Sequence, residues 1–366
     1  MAGSVFGTIF KISSWGESHG KGVGVVVDGC PAGVELCEND VQPFLNRRRP
    51  GQSRFATPRQ EDDAVEILSG VFEGKTTGTP ISMVVYNKTQ RSGDYSEIAS
   101  YYRPGHADYT FDMKYGFRDY RGGGRSSGRE TIARVAAGAI AVKILKMLGI
   151  NVNAYTKSIG DVEIDMSKFD AEEVFNNMLY MPDADAAARA SELVDKSRSE
   201  CDSIGGVVEC VVSGMKTGVG EPVFEKLDAN LAKAIVSIGA VKAFEIGDGS
   251  LSAKASGSEN NDAFTVDDEG KITKKTNHSG GVLGGISDGS DVVVRAYFKP
   301  TPSIYKEQET VNSSKENINI NIKGRHDPIV VPRAVVVVEA MVALTVLDML
   351  LVSMTSDINK IIKFFE

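Results

Sequence analysis

The sequence has few of the residues that build metal centres or disulfide frameworks. It contains four cysteines among 366 residues, and they form no C-x-x-C pair. No histidine lies at a metal-ligand spacing from any of them, so we expect reduced structural thiols and no metal site. The cysteines are Cys30, Cys37, Cys201 and Cys210.

Segments that direct a chain to a membrane are also lacking. Residues 1–10 contain no basic stretch followed by an apolar stretch, so we expect no signal peptide. The most apolar stretch, residues 335–354, is interrupted by Glu339 and Asp348. It falls short of the roughly 18 uninterrupted apolar residues expected of a membrane span. The sequence therefore predicts a cytoplasmic protein with no membrane partner.

An excess of positive charge is absent as well. The formal net charge is -8 at pH 7, so the surface as a whole does not attract nucleic acid or other polyanions. Any site for a phosphate group must therefore come from a local cluster of basic residues.

Several familiar motifs are missing, and each absence argues against a class of protein. There is no G-x-x-x-x-G-K-[ST] sequence of a P-loop and no G-x-G-x-x-G run before a helix, as in a Rossmann fold. The G-x-S-x-G elbow of the α/β-hydrolases is absent too. No repeat of fixed period occurs, which argues against a solenoid.

The pattern of apolar residues predicts a mixture of strands and helices. Runs rich in Val and Ile predict strands at residues 22–27, 81–86, 207–212 and 292–298. Helical spacing predicts helices at residues 130–148, 171–179, 184–197 and 332–352. The last of these is apolar on nearly all faces, as expected of a helix trapped between two sheets. Residues 259–277 and 306–324 are polar, and we expect mobile loops there.

Arginine is concentrated in one short segment. Five arginines fall within thirteen positions, and Pro50 prevents them from sharing one regular helix. The guanidinium fork matches carboxylate and phosphate groups, so the segment indicates a site for an anionic small molecule. Binding of RNA is the alternative, although Phe55 is the only aromatic residue there that could stack on a base. The five are Arg47, Arg48, Arg49, Arg54 and Arg59.

A glycine-rich segment, residues 120–130, precedes the first long helix. Ser127 and Glu130 fit the S-x-x-E capping box that opens a helix. Glycines at 122–124 allow backbone N–H groups to point at an anion, which the positive end of the helix also favours. Because Arg125 and Arg129 add charge, we expect a phosphate-bearing ligand here, and a plain capped helix is the alternative.

Histidine is rare, and each histidine lies in a segment rich in Gly, Asp, Arg or Ser. A single histidine in a loop is usually a surface residue. Several of them beside Arg and Asp suit proton transfer near neutral pH. They are His19, His106, His278 and His326.

In these segments the sequence resembles the chorismate synthase family, and the resemblance runs almost from end to end. It is strongest in Gly16-Glu17-Ser18-His19-Gly20, in residues 122–129 and in Gly324-Arg325-His326-Asp327-Pro328. Shorter matches accompany these in the family's order, at residues 28–31, 47–51, 103–108, 205–209, 245–249, 277–281, 299–301 and 339–341. The sequence departs from the family pattern at a few positions, and none of these departures removes a charged or proton-transfer group. The departing residues are Gly93, Gly128, Gly239 and Pro302.

The resemblance implies an α+β fold, a β-α-β sandwich with a helical layer between two antiparallel sheets. It also implies a single domain over residues 1–366 and a homotetramer. The implied reaction is the 1,4-anti elimination of phosphate from 5-enolpyruvylshikimate-3-phosphate. Its product, chorismate, ends the common part of the shikimate pathway to the aromatic amino acids. The reaction is redox-neutral yet needs reduced FMN, which NADPH or a separate flavin reductase provides.

The resemblance also implies roles for the matching residues. His19 would protonate the departing phosphate, His106 would stabilise negative charge on the reduced flavin, and Asp327 would help to remove the ring proton. The substrate carries two carboxylates and one phosphate, and its ligands would be Arg48, Arg49, Arg54, Arg129 and Arg325. In the family, the positions that match Arg48 and Arg54 are associated with NADPH. The FMN contacts would be Arg125, Ser126, Ser127, Gly239, Ala240, Gly284, Lys299, Pro300, Thr301, Pro302, Ser303 and Arg325.

Overall fold

The computed structural model describes residues 3–51, 54–55, 61–88, 97–322 and 327–366. Its strands are short and rich in β-branched residues, which fit a pleated surface. In chain order they are β1 (Val5–Phe6), β2 (Lys11–Gly16), β3 (Gly22–Asp28), β4 (Val65–Ile67), β5 (Val71–Phe72), β6 (Lys75–Thr76), β7 (Ile81–Tyr86), β8 (Asn151–Ile159), β9 (Val162–Glu163), β10 (Gly206–Ser213), β11 (Val241–Ile246), β12 (Phe264–Val266), β13 (Ile272–Lys274), β14 (Val282–Leu283), β15 (Ile286–Ser287), β16 (Val292–Phe298), β17 (Gln308–Val311) and β18 (Asn317–Ile320).

The helices differ widely in length and in the fraction of their surface that is buried. In chain order they are α1 (Glu38–Arg48), α2 (Asp108–Tyr115), α3 (Thr131–Met147), α4 (Ala184–Ser199), α5 (Leu227–Val236), α6 (Gly257–Asn260), α7 (Val331–Ser353) and α8 (Ile358–Phe365).

Two five-stranded sheets form the outer layers. The strand order is β1-β2-β3-β7-β4 in the first and β11-β16-β10-β8-β9 in the second. Every neighbouring pair in both sheets is antiparallel. Alternate residues point inward, so that Val292, Val294, Ala296 and Phe298 of β16 are buried while the residues between them are partly exposed.

The helical layer lies between the inward faces of the sheets. Helix α3 packs on β3 of the first sheet, α7 packs on β8 and β10 of the second, and the two helices pack on each other. They approach closely at Gly138, where a Cβ atom would lie 2.3 Å from the Cβ of Ala340. The predicted β-α-β sandwich is confirmed.

Helix α1 shows in which direction the central helices run. Lys143, near the end of α3, binds Asp40 near the start of α1, with 2.6 Å between Nζ and Oδ1. Arg333, near the start of α7, donates from Nε to the carbonyl of Arg48 at the end of α1 at 3.1 Å. Helices α3 and α7 are therefore parallel, and both begin at the same end of the layer.

Two acidic residues interrupt the apolar sequence of α7, and both are buried and paired. Glu339 pairs with Arg47 at 2.6 Å, and Asp348 accepts hydrogen bonds from the backbone N–H groups of residues 8–10 at 2.7–2.9 Å. Among the residues described, α7 is the one helix long and apolar enough to cross a membrane. In its most apolar stretch of 18 residues, 83% is buried in the core.

The helix predicted at residues 171–179 is wrong, whereas the other three predicted helices and all four predicted strands are confirmed. The structure has only a 3₁₀ turn there, at Glu173–Phe175. The side chain of Asn177 accepts from the backbone N–H groups of Leu179 and Met181 at 3.1 and 3.2 Å. These bonds compete with the bonds of a helix and end the turn.

The two polar segments predicted as loops contain hairpins, β12–β13 and β17–β18. The first segment is fixed to the core by Lys274, whose side chain is 2% exposed. Its Nζ lies 3.1 Å from Asp262 and 2.7 Å from Asp288. The prediction of irregular backbone was wrong because short polar strands pair there, and the movement of these segments stays a prediction.

Candidate active site

Two helix N-termini meet at one end of the helical layer, where α3 and α7 begin. The first N–H groups of a helix have no partner within the helix and carry partial positive charge. This end of the layer therefore favours anions before any side chain is considered.

A buried chain of ion pairs lies at this end. Arg48, 2% exposed, donates from Nη1 to Oδ2 of Asp63 at 3.1 Å. The other oxygen of Asp63 lies 3.0 Å from Nη1 of Arg129, which is 4% exposed. Nη2 of Arg129 lies 4.0 Å from Glu61 and makes no hydrogen bond within the described residues. One carboxylate thus holds two predicted substrate-binding arginines side by side.

Asn87 connects this chain to the loop that carries His19. Its Oδ1 accepts from Nε of Arg129 at 2.5 Å, and its Nδ2 donates to the carbonyls of Glu17 and Gly20 at 3.0 and 2.8 Å. The position of His19 is therefore linked through hydrogen bonds to the position of Arg129.

His19 packs against the glycine-rich segment. Ser18 Oγ lies 3.1 Å from Nδ1 of His19 and donates to the carbonyl of Gly122 at 3.2 Å. Gly122 has φ +65°, and a Cβ atom there would lie 2.3 Å from Cε1 of His19. Glycine is required both by the backbone conformation and by the contact. Two segments distant in sequence thus meet around a buried imidazole.

His106 lies at a second position beside the glycine-rich segment. Its Nε2 is 2.8 Å from Oγ of Ser303, and Lys299 donates from Nζ to the carbonyl of the preceding residue at 2.8 Å. Arg103, in the same loop, reaches to 3.9 Å from the position of a Cβ atom on Gly123. The loop of His106 therefore spans from the predicted flavin-binding run 299–303 to the glycine-rich segment.

The run 299–303 is held by close contacts with two glycines. A Cβ atom on Gly105 would lie 2.8 Å from Pro302, and one on Gly205 would lie 3.2 Å from Pro300. Thr301 Oγ1 is buried and has no hydrogen-bond partner within the described part of the chain. An unsatisfied buried hydroxyl favours a ligand with which it can hydrogen-bond.

Arg125 and Ser126 mainly shape the glycine-rich segment. Arg125 donates to Oγ of Ser14 at 2.7 Å and to the carbonyl of Gly16 at 3.1 Å, which ties the segment to β2. Ser126 Oγ donates to the carbonyl of Gly123 at 2.6 Å and closes a turn. In this chain both side chains are engaged by the protein itself.

The capping box predicted for Ser127 and Glu130 is wrong. Ser127 accepts from the backbone N–H of Arg129 at 3.3 Å, and it caps a 3₁₀ turn, Gly128–Glu130, that precedes α3. Glu130 pairs with Arg134 at 2.9 Å, one turn further along. The salt bridge at this spacing replaces the bond back to Ser127.

Asp327 is held by a residue that the sequence did not indicate. Its Oδ2 lies 2.5 Å from Nη1 of Arg333, the residue that also binds the carbonyl of Arg48. Asp327 therefore joins the same cluster at the start of α7. Two further predicted residues, Arg325 and His326, lie outside the described residues.

Two predicted substrate-binding arginines lie outside the buried ion pairs. Arg49 lines, together with Arg47 and several aromatic residues, a cavity of about 240 Å³ that Arg333 at the start of α7 also lines. Arg54 is 59% exposed and pairs with Asp195 at 3.0 Å. Since Arg48 is buried, the described part of the arginine-rich segment is not one exposed basic surface. The RNA-binding alternative is therefore not supported.

The predicted flavin contacts divide between the two ends of β16. Ala240, next to the exposed Gly239, accepts from the backbone N–H of Lys299 at 3.0 Å, on the side of His106. Gly284 lies in the β14–β15 hairpin, which packs against Gly220, and Gly220 donates to the last residue of α7 at 3.2 Å. A strand of this length spans about 23 Å. Within a single chain, Gly284 therefore lies apart from the other predicted flavin contacts.

Cationic side chains lie close to one another at both places. Burial lowers the pKa of Arg48, the neighbouring Arg333 and Arg129 lower it further, and Asp63 opposes the change. Burial and then Lys242 lower the pKa of Lys299. An anionic ligand would stabilise the charged form of each group. The electrostatics of both places therefore favour anionic ligands.

Reasoning from sequence missed Asp63 and Asn87, which together hold the cluster. Asp63 ends an acidic run that follows the arginine-rich segment, and Asn87 directly follows the buried strand β7. A carboxylate close in sequence to several arginines was the available signal for Asp63. No pattern in the sequence points to Asn87.

Comparison with known proteins decides the family. The family model described as chorismate synthase matches residues 10–351. The chain belongs to the chorismate synthase family. The chorismate synthase of Agathobacter rectalis is 68% identical over 366 residues, which cover 100% of both chains. The chorismate synthase of Gloeothece citriformis is 55% identical over 352 residues, 95% of this chain and 97% of its own.

The fold is shared with a solved member of the family. A crystal structure of chorismate synthase matches with a TM-score of 0.77 and 30% sequence identity, covering 98% of this chain and 97% of that chain. The agreement extends over both sheets and the helical layer, so the family assignment rests on fold as well as on sequence.

Proposed function

We propose that the site converts 5-enolpyruvylshikimate-3-phosphate into chorismate by a 1,4-anti elimination of phosphate, as a carbon–oxygen lyase assisted by reduced FMN. The observation that carries the proposal is the buried Arg48–Asp63–Arg129 cluster, in which Nη2 of Arg129 makes no hydrogen bond within the described residues. A buried donor without an acceptor costs free energy until a ligand supplies one. The two carboxylates and the phosphate of the substrate are acceptors of this kind.

The residues around Lys299 and Thr301 fit FMN. The buried Oγ1 of Thr301 has no hydrogen-bond partner among the described residues, and Lys299, two residues earlier in the chain, is repelled by Lys242. A phosphate-bearing ligand would satisfy both groups. Reduced FMN bound there would supply electron density for the loss of phosphate.

His19 is the acid that we propose for the departing phosphate. Its imidazole is 7% exposed and is fixed between Ser18 and Gly122. The ordinary pKa of histidine lies near neutrality, which suits proton donation to a leaving group. A fixed ring also keeps the proton in one direction, which favours transfer.

His106 and Asp327 are proposed for the remaining charges. His106, held at Ser303, places its imidazole beside the proposed flavin site, where it stabilises negative charge. Asp327, held by Arg333, is the carboxylate that assists removal of the ring proton.

The decisive experiment uses the pure protein under anaerobic conditions with pre-reduced FMN and substrate. Because the proposed reaction has no net electron transfer, we expect many molecules of chorismate per flavin in stopped-flow measurements. One chorismate formed per flavin oxidised would contradict the proposal, and so would turnover at the same rate without flavin.

We further propose a cytoplasmic homotetramer that receives reduced FMN from a separate reductase, with NADPH as a direct reductant as the alternative. The two positions associated with NADPH favour a separate reductase over direct reduction by NADPH, because Arg48 is buried against Asp63 while Arg54 is exposed against Asp195. An aerobic assay with FMN, NADPH and substrate tests the source of reduced FMN. Chorismate formed without dithionite or added reductase would show that the protein reduces FMN itself.

A further inference from the structure

Asp63 lies at the centre of the buried cluster, and its carboxylate contacts both arginines. We propose that Asp63 is a positioning residue of the substrate site, which sets the separation and orientation of Arg48 and Arg129 so that both bind one anionic group of the substrate. The inference rests on the proposed function and identifies the residue that organises anion recognition within it.

The contacts of Asp63 support a positioning role. Oδ2 of Asp63 accepts a hydrogen bond from Nη1 of Arg48 at 3.1 Å. Oδ1 forms an ion pair with Nη1 of Arg129 at 3.0 Å, without the geometry of a hydrogen bond. Both pairs use Nη1, which leaves Nη2 of Arg129 without a hydrogen bond in the described structure. All three side chains are at most 4% exposed, so water does not replace Asp63 as the partner. Without it, two buried like charges would repel each other.

The backbone shows that the position of Asp63 is imposed by its surroundings. Its φ of +46° lies in the left-handed region that L-residues rarely adopt. Gln42 of α1 donates from Nε2 to the carbonyl of Asp63 at 3.2 Å, which holds this conformation. Strained, buried and doubly paired residues of this kind cluster at functional sites.

The neighbouring Asp62 provides a matched control. Its side chain is 77% exposed and lies 3.6 Å from Lys88, which is itself 61% exposed. Asp62 has the same charge and an adjacent sequence position, but it contacts neither arginine. A change at Asp62 therefore alters the net charge of the protein without altering the cluster.

Loss of the charge of Asp63 should also change the pH dependence of kcat/KM. The charged groups that act on Arg48 are Asp63, Arg129, Arg333 and Asp327, and burial lowers its pKa to about 9. Asp63 opposes this decrease, so its loss lowers the pKa of Arg48 further. Protonated Arg48 binds the anionic substrate, and the alkaline limb of kcat/KM should therefore move to lower pH.

The test compares Asp63→Asn, Asp63→Glu and Asp62→Asn, with folding checked by circular dichroism and urea unfolding. For Asp63→Asn we expect the KM for substrate to rise about 10- to 100-fold, as for the loss of charged hydrogen bonds. We expect kcat to fall much less and the alkaline limb to shift downward. Asp63→Glu keeps the charge, so its alkaline limb should stay near that of the wild type even if its KM rises.

Binding of substrate measured by calorimetry separates this inference from the proposed function, because it needs no turnover. Weaker binding in Asp63→Asn but not in Asp62→Asn supports the inference even if the wild type makes no chorismate, a result that would refute the proposed function alone. The inference is overturned if Asp63→Asn binds substrate normally, or if only its stability and kcat fall. Equal losses in both Asn variants would overturn it too.

Discussion

Alanine at position 122 would displace the imidazole of His19 without removing any functional group. A Cβ atom on Gly122 would lie 2.3 Å from Cε1 and 2.4 Å from Nδ1 of the ring. Ordinary contacts between such atoms begin at about 3.5 Å, so the ring or the loop must move by about 1 Å. A misplacement of this size costs about 100-fold in rate. We therefore expect kcat of Gly122→Ala to fall about 100-fold in the anaerobic assay.

The same segment supplies the control for this prediction. Gly124 has φ +52°, close to the +65° of Gly122, but a Cβ atom there would meet nothing within 4 Å. Both alanine variants carry the cost of a left-handed backbone, about 1–2 kcal/mol of stability, which urea unfolding measures. Only Gly122→Ala should lose kcat. Equal kcat values in the two variants would refute the reasoning, since backbone strain alone would then explain both.

Three further predictions concern the charged residues. Asp327→Asn keeps the shape of the side chain that Arg333 holds, so FMN and substrate should bind within a few fold while the single-turnover rate falls roughly 10²–10⁴-fold; a near-normal rate would exclude Asp327 from the mechanism. Arg48→Ala should weaken substrate binding by roughly 1.5–3 kcal/mol, and Arg48→Lys should recover only part of this; unchanged KM values would place Arg48 outside the site. Lys274→Met removes the cation from buried carboxylates such as Asp262, which keeps three hydrogen bonds of its own, and should lower the free energy of unfolding by about 3 kcal/mol, the low end for a broken buried pair; an unchanged stability would show that the pairs are not needed.

The sequence by itself indicated the three longest helices, four of the strands and the family. The apolar run of α7 predicted a helix buried on all sides, because a helix without a polar face cannot lie at a surface. The motifs around His19, residues 122–129 and Asp327 indicated the family and most of the residues that we propose for the site. These signals are local, since each depends on residues close together in the chain.

The tertiary structure decided which of those residues act together. Arg48 and Arg49 are adjacent in sequence, yet Arg48 is buried against Asp63 and Arg49 lines the neighbouring cavity, because the chain leaves its helical conformation at Arg49. The pairing of Asp327 with Arg333 and the role of Asn87 depend on loops that meet only after the two sheets enclose the helices. Local sequence patterns carry no information about such long-range contacts, which is the physical reason that the sequence suggested residues for the site but not their partners.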